Sequence, residues 1–227
     1  MSAAPEAASL TERAYECIRQ DVIFGRLDPG ARLRLEDLRA RYDLGGTPLR
    51  EALSRLSAEG LIEATAQRGF RVADISVADL DDVASMRIRL ECDALRESIA
   101  FGEDAWEAGV AGAHHTLAMT ERRGLPLDEA GFAQWEARNR AFHEALVAAS
   151  RSRWTQRFRA LVYDQHERYR RVSVLHVPHR VEDGAAEHAA LKDAALARDA
   201  ERACALTEAH IMRTVGVIRA ALEGRNA

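Results

Sequence analysis

The chain has 227 residues, of which 47% are hydrophobic and only 6% aromatic. This length allows one large or two small domains, and alanine and leucine supply much of the apolar content, which favours helix packing. A formal net charge of −4 argues against a protein that coats nucleic acid without regard to its sequence.

The sequence also indicates the cellular compartment in which the protein resides. No stretch reaches the ~18 apolar residues that a membrane span needs, and the N-terminus lacks the pattern of a signal peptide. Cys17, Cys92 and Cys204 are isolated, without a CxxC pair, and their odd number suits a reducing compartment. We expect a cytoplasmic protein without a membrane partner, small buried cysteines, and a disordered tail at residues 1–8.

The N-terminal third begins with a helix, a strand and a short helix. Ser9 and Glu12 form a capping box, which opens a helix that reaches about Phe24. Residues 32–34 alternate as a short strand does, and residues 36–42 are predicted to form a short helix. This short helix is the first member of a predicted helix-turn-helix.

The second member follows the turn at residues 43–46. We expect Thr47 to cap it and Pro48 to hold its first position, where a missing N–H costs nothing. Its inner face is apolar at helical spacing and consists of Leu49, Ala52, Leu53 and Leu56. The outer face suits a DNA major groove, although an ordinary surface helix also has a polar face. That outer face consists of Thr47, Arg50, Ser54 and Ala58.

Two strands, at residues 61–65 and 69–73, are predicted to follow Gly60 and to complete a winged helix. Arg68 lies at the tip of this wing, and Gly69 allows a close approach of the backbone. Residues 9–75 contain eleven arginines and eleven acidic residues, so DNA binding requires arginines grouped on one face. We expect Thr47, Arg50 and Ser54 to read bases. The residues expected on or near the DNA backbone are Arg55, Arg68, Gly69 and Arg71.

Four runs in this region form a specific pattern, at residues 27–30, 47–53, 59–62 and 68–72. Together they resemble the GntR family of bacterial transcription regulators, which implies a winged helix that binds operator DNA. In that family a small polar residue and an arginine precede the Thr-Pro pair and touch DNA. Here these positions hold Gly45 and Gly46, so the resemblance does not carry over the usual operator sequence.

Beyond residue 73 the pattern is helical. We expect a linker at 74–78, an antiparallel helical bundle at 79–222 and a tail at 223–227. The predicted helices span about 76–101, 104–123, 128–149, 152–174, 181–197 and 199–222. The fold class is therefore mainly α, with an N-terminal winged helix-turn-helix at 9–73 and a C-terminal all-α antiparallel helical bundle.

Three histidines lie among apolar neighbours on three different predicted helices: His143, His188 and His210. Imidazoles that converge in a bundle core can bind a divalent metal ion. Asn139 shares a helix face with His143, because the two are four residues apart. The alternative is that each histidine has an ordinary core or surface role. We assign this ordinary role to the other five histidines, which are His114, His115, His166, His176 and His179. Of these, His166 is also a candidate to line a cavity.

The runs at residues 87–91, 139–146, 187–188 and 209–210 resemble the FCD ligand-binding domain, which defines the FadR-type subfamily of GntR regulators. The resemblance covers roughly residues 79–222. It implies a metal site with His143, His188 and His210 as ligands and with Asn139 in the place of an aspartate ligand. Zinc is the default ion for such a site, and nickel or manganese is the alternative.

The same resemblance implies a small organic acid effector that completes the coordination of the metal. Arg87 stands where an arginine holds the acid in some members, and its alternative role is a surface pair with Glu91 at helical spacing. We therefore predict a metabolite-responsive transcription regulator, not an enzyme. It is expected to bind double-stranded operator DNA as a homodimer and to control a catabolic operon.

Two other interpretations remain open. Three histidines could activate a water in a metal-dependent enzyme, although no acid or base is spaced as in HExxH and a hydrolase has no use for a recognition helix. Alternatively, a metal-free regulator could bind its effector through the histidines directly. The sequence leaves the effector, the operator and the choice between repression and activation undetermined.

Overall fold

A computed structural model describes residues 9–65, 69–123, 129–174 and 181–225. Three of the residues discussed above lie outside this part of the chain: Arg68, His176 and His179. Contacts divide the chain into two compact units. The first comprises Met1–Ser76 with Asp164–Val172, and the second comprises Val77–Tyr163 with Ser173–Ala227.

The first unit contains the winged helix that the sequence predicts. Its elements are α1 (Leu10–Ile23), β1 (Arg32–Leu33), α2 (Leu35–Tyr42), α3 (Gly46–Ala58), β2 (Ile62–Thr65) and β3 (Gly69–Val72). The strands form an antiparallel sheet in the order β1-β3-β2, with Arg71 of β3 opposite both Arg32 and Glu63. The core of this unit is built from fully buried side chains of α1, α3 and the sheet, among them Ile18, Leu49, Leu53, Leu56 and Val72.

α1 begins as the capping box predicts, because the Ser9 hydroxyl accepts a hydrogen bond from the Glu12 N–H at 3.1 Å. Near its end, the buried carboxylate of Asp21 accepts hydrogen bonds from three side chains. The donors are Arg26 at 3.0 Å, Arg41 at 2.8 Å and the Tyr42 hydroxyl at 2.8 Å. Burial and the bond to Asp21 raise the pKa of Tyr42, so the phenol keeps its proton. Asp21 thereby ties the end of α1 to α2.

α3 begins two residues earlier than predicted. Gly45 is the N-cap, in an extended conformation with φ −67° and ψ 160°, and no side chain caps the helix. The expectation that Thr47 is the cap and Pro48 the first residue is therefore wrong, since Pro48 is the third residue. The first intrahelical bond joins the Leu49 N–H to the Gly45 carbonyl at 3.4 Å, so the missing N–H of Pro48 still breaks no hydrogen bond.

The second unit is helical throughout its described residues. Its helices are α4 (Val77–Phe101), α5 (Asp104–Arg122), α6 (Glu129–Leu146), α7 (Arg153–Val174), α8 (Val181–Leu196) and α9 (Ala200–Arg225). α4 packs on α9, α5 packs on α6 and α8, and α8 packs on α9. None of the helices described for this chain has both the length and the apolar character needed to cross a membrane.

The ends of two helices differ from the sequence-based expectation. α4 begins at Val77, inside the segment assigned to a linker, and α9 runs to Arg225, inside the segment assigned to a tail. Residues Asp164–Val172 of α7 group with the first unit. Within that unit, Asp164 pairs with Arg19 at 2.6 Å, and Gln165 donates to the Glu59 carbonyl at 2.9 Å.

Candidate functional site

The outer face of α3 is exposed along its whole length. Its members, Thr47, Arg50, Ser54 and Ala58, are all exposed, whereas the inner residues of the helix are buried. Within the described residues Arg50 takes part in no ion pair. The helical period therefore leaves one arginine on this face without a partner among the described residues, so its guanidinium is available to a guanine edge or a phosphate.

Arg55 and Arg71 are engaged within the first unit. Arg55 pairs with Glu12 at 2.9 Å, and its guanidinium lies 3.6 Å from the ring centre of Tyr15. Arg71 forms ion pairs of 2.6 Å with both Glu63 and Asp74. A phosphate that recruits either arginine must compete with these carboxylates.

Gly69 opens β3 with a φ of +86°, a conformation that favours glycine, and a Cβ built there would meet no atom within 4 Å. The positive φ accounts for this glycine, and the open space around it is compatible with the close backbone approach predicted from the sequence.

The three predicted histidines converge in the second unit. His143 lies on α6, His188 on α8 and His210 on α9, and the nitrogens they offer lie within 4.8 Å of one another. The ring centres are 5.0–5.5 Å apart. Phe142, fully buried, has its ring 5.4 Å from that of His143 and 5.5 Å from that of His188. Three helices thus supply three imidazoles to one buried point.

Two carboxylates orient two of these three imidazoles, those of His188 and His210. Glu121 of α5 lies 2.9 Å from Nδ1 of His188, and Glu187 lies 2.6 Å from Nδ1 of His210. A carboxylate acts as the acceptor in such a contact, which assigns a proton to each Nδ1 and leaves Nε2 as the ring nitrogen that can take a ligand. Carboxylate–histidine pairs of this kind orient metal-binding histidines in proteins. Nε2 of His188 is buried and has no hydrogen-bond partner within the described chain.

The electrostatics favour neutral imidazole at the centre of the cluster. Burial lowers the pKa of His210 to about 4, although the bond to Glu187 opposes that shift, and the charge of Arg87 lowers it further. Burial acts to raise the pKa of Glu187, but hydrogen bonds from His210 and Arg213 lower it on balance. At neutral pH the pair is therefore a neutral histidine beside a carboxylate, which is the form that can bind a metal ion.

Asn139 is buried on α6, one turn before His143, and its amide donates to the Tyr163 hydroxyl at 3.3 Å. The ring of Tyr163 lies 6.4 Å from that of His143. With the amide N–H directed at the phenol, the amide oxygen remains the group of Asn139 that could meet a cation. Tyr163 therefore adjoins both His143 and the predicted fourth ligand.

Arg87 is buried on α4, with its guanidinium 4.5 Å from the ring centre of Tyr163. Its Nε lies 3.6 Å from Glu91, so the predicted pair forms, but the side chains are only 2% and 5% exposed. The alternative of a surface pair is therefore wrong. Arg159 also reaches Glu91, at 3.4 Å. A buried cluster of charges thus adjoins Tyr163.

A small cavity of about 10 Å³ adjoins the histidine cluster and the Arg87–Glu91 pair. It is lined by Glu91, Leu95, His143, Leu146, Val147 and Thr207. Such a volume holds about one water molecule. The cavity touches His143 of the cluster and Glu91, the carboxylate that pairs with Arg87.

Sequence reasoning missed Glu121, Glu187 and Tyr163. Glu187 carried a signal, because it precedes His188 in a run already singled out. Glu121 carried none, because it reaches His188 across 67 positions of sequence. Tyr163 likewise carried none, because it meets Asn139 across 24 positions of sequence.

Two family models match the chain. The model for bacterial regulatory proteins of the gntR family matches residues 10–72, and the model for the FCD domain matches residues 82–213. The histidine cluster lies within the second match, and the exposed face of α3 lies within the first.

Curated relatives align with almost all of the chain. BphR, a helix-turn-helix transcriptional regulator of Paraburkholderia xenovorans (strain LB400), is 46% identical over 93% of this chain and 86% of its own length. The transcriptional repressor GlaR of Escherichia coli (strain K12) is 37% identical over 92% of this chain and 96% of its own.

Among solved structures, E. coli McbR/YncC matches with a TM-score of 0.79 over 93% of this chain and 97% of its own, at 20% identity, which shows the shared fold. This chain therefore belongs to the GntR family of transcription regulators, in the FadR-type subfamily with an FCD domain, and it regulates transcription by ligand-responsive binding to DNA.

Proposed function

We propose that this regulator holds one divalent metal ion at His143, His188 and His210 and senses a small organic acid there. The observation that carries the proposal is the convergence of three imidazole nitrogens within 4.8 Å, two of them on rings oriented by carboxylates. A buried Nε2 such as that of His188 is costly to leave without a hydrogen bond, and a metal ion satisfies it.

Zinc is the default ion for an imidazole site, and nickel or manganese suits the positions left for oxygen ligands. Asn139 is the candidate fourth ligand, through a neutral amide oxygen that binds more weakly than a carboxylate. When bound, the ion supplies a Lewis acid for oxygen atoms of the effector. The histidines and their glutamates hold it in place.

The effector is proposed to be an anion because a bound metal ion would add positive charge beside the buried guanidinium of Arg87. Arg87 is close enough for its charge to act on His210, and a metal ion adds to the same field. A hydroxy, keto, sugar or dicarboxylic acid can meet both through its carboxylate and hydroxyl oxygens. The adjoining cavity of about 10 Å³ favours a small molecule that displaces water and shifts the side chains around it.

DNA recognition is proposed to use the exposed face of α3, with Thr47, Arg50 and Ser54 toward base edges. Arg55, Arg68, Gly69 and Arg71 are proposed to lie on or near the DNA backbone. A homodimer supplies two such helices for symmetric half-sites.

We propose that the protein acts in the cytoplasm, because operator DNA lies in that compartment. We also propose that it represses a catabolic operon, because the relative GlaR is named a repressor.

Metal analysis tests the centre directly. Protein purified without chelator is expected to carry about one ion per chain, and the double variant His143→Ala, His188→Ala is expected to carry none and to melt at a lower temperature. His115→Ala is the matched control, because His115 is an exposed histidine of the same unit. Metal-free wild-type protein that still responds to its acid would favour direct binding by the histidines.

Thermal shift with a panel of organic acids tests the effector. A ligand at ~100 times its Kd adds about 2.7 kcal/mol to the free energy of unfolding, which raises the melting temperature clearly. Arg87→Ala is expected to lose most of this gain. Stabilisation by neutral sugars or nucleosides alone, equal in wild type and Arg87→Ala, contradicts an anionic pocket.

Light scattering at micromolar concentration tests assembly. We expect the mass of a dimer with and without operator DNA, since one winged helix reads only a few base pairs. A monomer under both conditions rules out the proposed paired readout.

A further inference from the structure

Two cysteines that stand 112 positions apart in sequence meet in the second unit. Cys92 lies on α4 and Cys204 on α9, two helices that pack against each other. Sγ of Cys92 is 3.8 Å from the carbonyl oxygen of Cys204, and Sγ of Cys204 is 3.6 Å from the carbonyl oxygen of Cys92. These reciprocal contacts place the two thiols side by side where the helices cross.

The two thiols are chemically unequal. The interaction with the Cys204 thiol, helped by burial, raises the pKa of Cys92. The interaction with the Cys92 thiol lowers the pKa of Cys204 against the effect of burial, and the nearby charge of Arg96 lowers it further, while Glu201 and Asp93 oppose that change. Because the thiolate is the reactive form of cysteine, Cys204 is the better nucleophile and Cys92 keeps its proton.

Both thiols also border an open groove of about 470 Å³. Arg89 and Arg96 line it, together with acidic residues that include Glu201. The cysteine residues themselves are only 8% and 5% exposed. A small oxidant can therefore reach the sulfurs through the groove, whereas a bulky one is excluded.

We propose that Cys92 and Cys204 form a redox-reactive dithiol, which hydrogen peroxide converts to an intramolecular disulfide. The Cys204 thiolate attacks one peroxide oxygen, the O–O bond breaks, and the departing hydroxide takes up a proton to form water. Sulfur of Cys92 then attacks the resulting sulfenic acid, the S–S bond forms, and the sulfenic oxygen leaves as a second water. Two thiols are oxidised by two electrons, and one peroxide is reduced to two waters.

The disulfide would link α4 to α9. Arg87 lies five positions before Cys92 on α4, and His210 lies six positions after Cys204 on α9. Where the metal and acid site proposed above is also correct, the crosslink constrains the two helices that contribute these residues. The thiol chemistry itself does not depend on that site.

The experiment uses the full chain with Cys17→Ser, which leaves Cys92 and Cys204 as its only cysteines. Folded protein is treated with hydrogen peroxide, quenched with catalase, denatured, alkylated and weighed by mass spectrometry. The expected product is a single chain that has lost two hydrogens and both alkylation sites, with recovery by dithiothreitol. In wild-type protein we expect this pair to oxidise about tenfold faster than Cys17, whose thiol lacks such a partner.

Single variants separate the roles of the two thiols. Cys92→Ser is expected to accumulate a sulfenic acid on Cys204 that dimedone traps, and Cys204→Ser is expected to leave Cys92 reduced. The comparison of oxidation rates between the cysteine pair and Cys17 in wild-type protein needs no variant. It therefore tests the proposal even where a replacement misfolds. The proposal is overturned if Cys17 oxidises before the pair, or if every disulfide formed joins two chains.

Discussion

The exposed face of α3 and the buried histidine cluster show two ways of building a functional site. Arg50 and its neighbours are presented by one helix, whose buried side alone fixes the direction in which they point. His143, His188 and His210 depend on three helices and on carboxylates that orient two of the rings. The first site can therefore change at little cost to folding, whereas changes in the second affect the stability of the bundle.

The largest effect is expected on the exposed face. Arg50→Ala removes the proposed contact to a guanine edge, and such a contact is worth about 1–3 kcal/mol, so operator affinity should fall by roughly 5- to 150-fold. The melting temperature should stay unchanged, because Arg50 is exposed and pairs with no described residue. Fluorescence anisotropy with operator and scrambled duplexes measures the loss.

The operator should lose more affinity than the scrambled duplex. Arg202→Ala is the control, since it removes an exposed arginine of the second unit. Unchanged operator binding by Arg50→Ala would contradict docking through α3.

The next largest effect is expected on metal affinity at the buried histidine cluster. Glu121→Gln keeps the size of the side chain but replaces the carboxylate that fixes His188, so metal affinity should fall by about 10–100-fold. Competition with a chromogenic chelator measures the change. Glu107→Gln, which alters a partly exposed acid on the same helix that pairs with Arg198, is the control. Equal affinities in the two variants would show that Glu121 does not orient a ligand.

Asn139→Asp tests the same centre in the opposite direction. A carboxylate in this place adds a charged oxygen, and ligand charge tunes metal affinity strongly, so we expect a gain of about tenfold. The metal-free variant should melt below the wild type, because a buried charge then lacks its cation. Chelator competition and melting curves check the two results. A variant whose affinity equals that of wild type removes Asn139 from the ligand set.

The smallest effect concerns Arg55, which stacks on Tyr15 and pairs with Glu12. Arg55→Ala should lower the free energy of unfolding by about 0.5–1 kcal/mol, because exposed ion pairs and cation–π contacts are weak. Urea unfolding measures it. A drop in operator affinity without a drop in stability would instead assign Arg55 mainly to DNA.

Local patterns predicted much of the first unit. The Ser9 cap follows from side-chain chemistry within four residues, and the buried face of α3 follows from its period. The start of α3 was missed because Thr47 offers a side-chain cap that the structure does not use, whereas Gly45 caps through its backbone conformation alone. The spacing of Arg87 and Glu91 predicted their pair, but their burial depends on helices distant in sequence.

For the same reason, the three histidines were predictable as candidates, while the contact of Glu121 with His188 was not. The meeting of Cys92 and Cys204 was equally hidden, because it arises from the packing of the first helix of the second unit on the last.

The carboxylate of Asp21 has a consequence for the order in which the chain can fold during synthesis. Its side-chain partners are only 5, 20 and 21 positions away. Contacts between residues close in sequence form early, because they close short loops. The corner between α1 and α2 can therefore assemble once residue 42 has left the ribosome, long before His210 has been translated. The DNA-binding unit of the regulator begins to take shape while the histidine cluster does not yet exist.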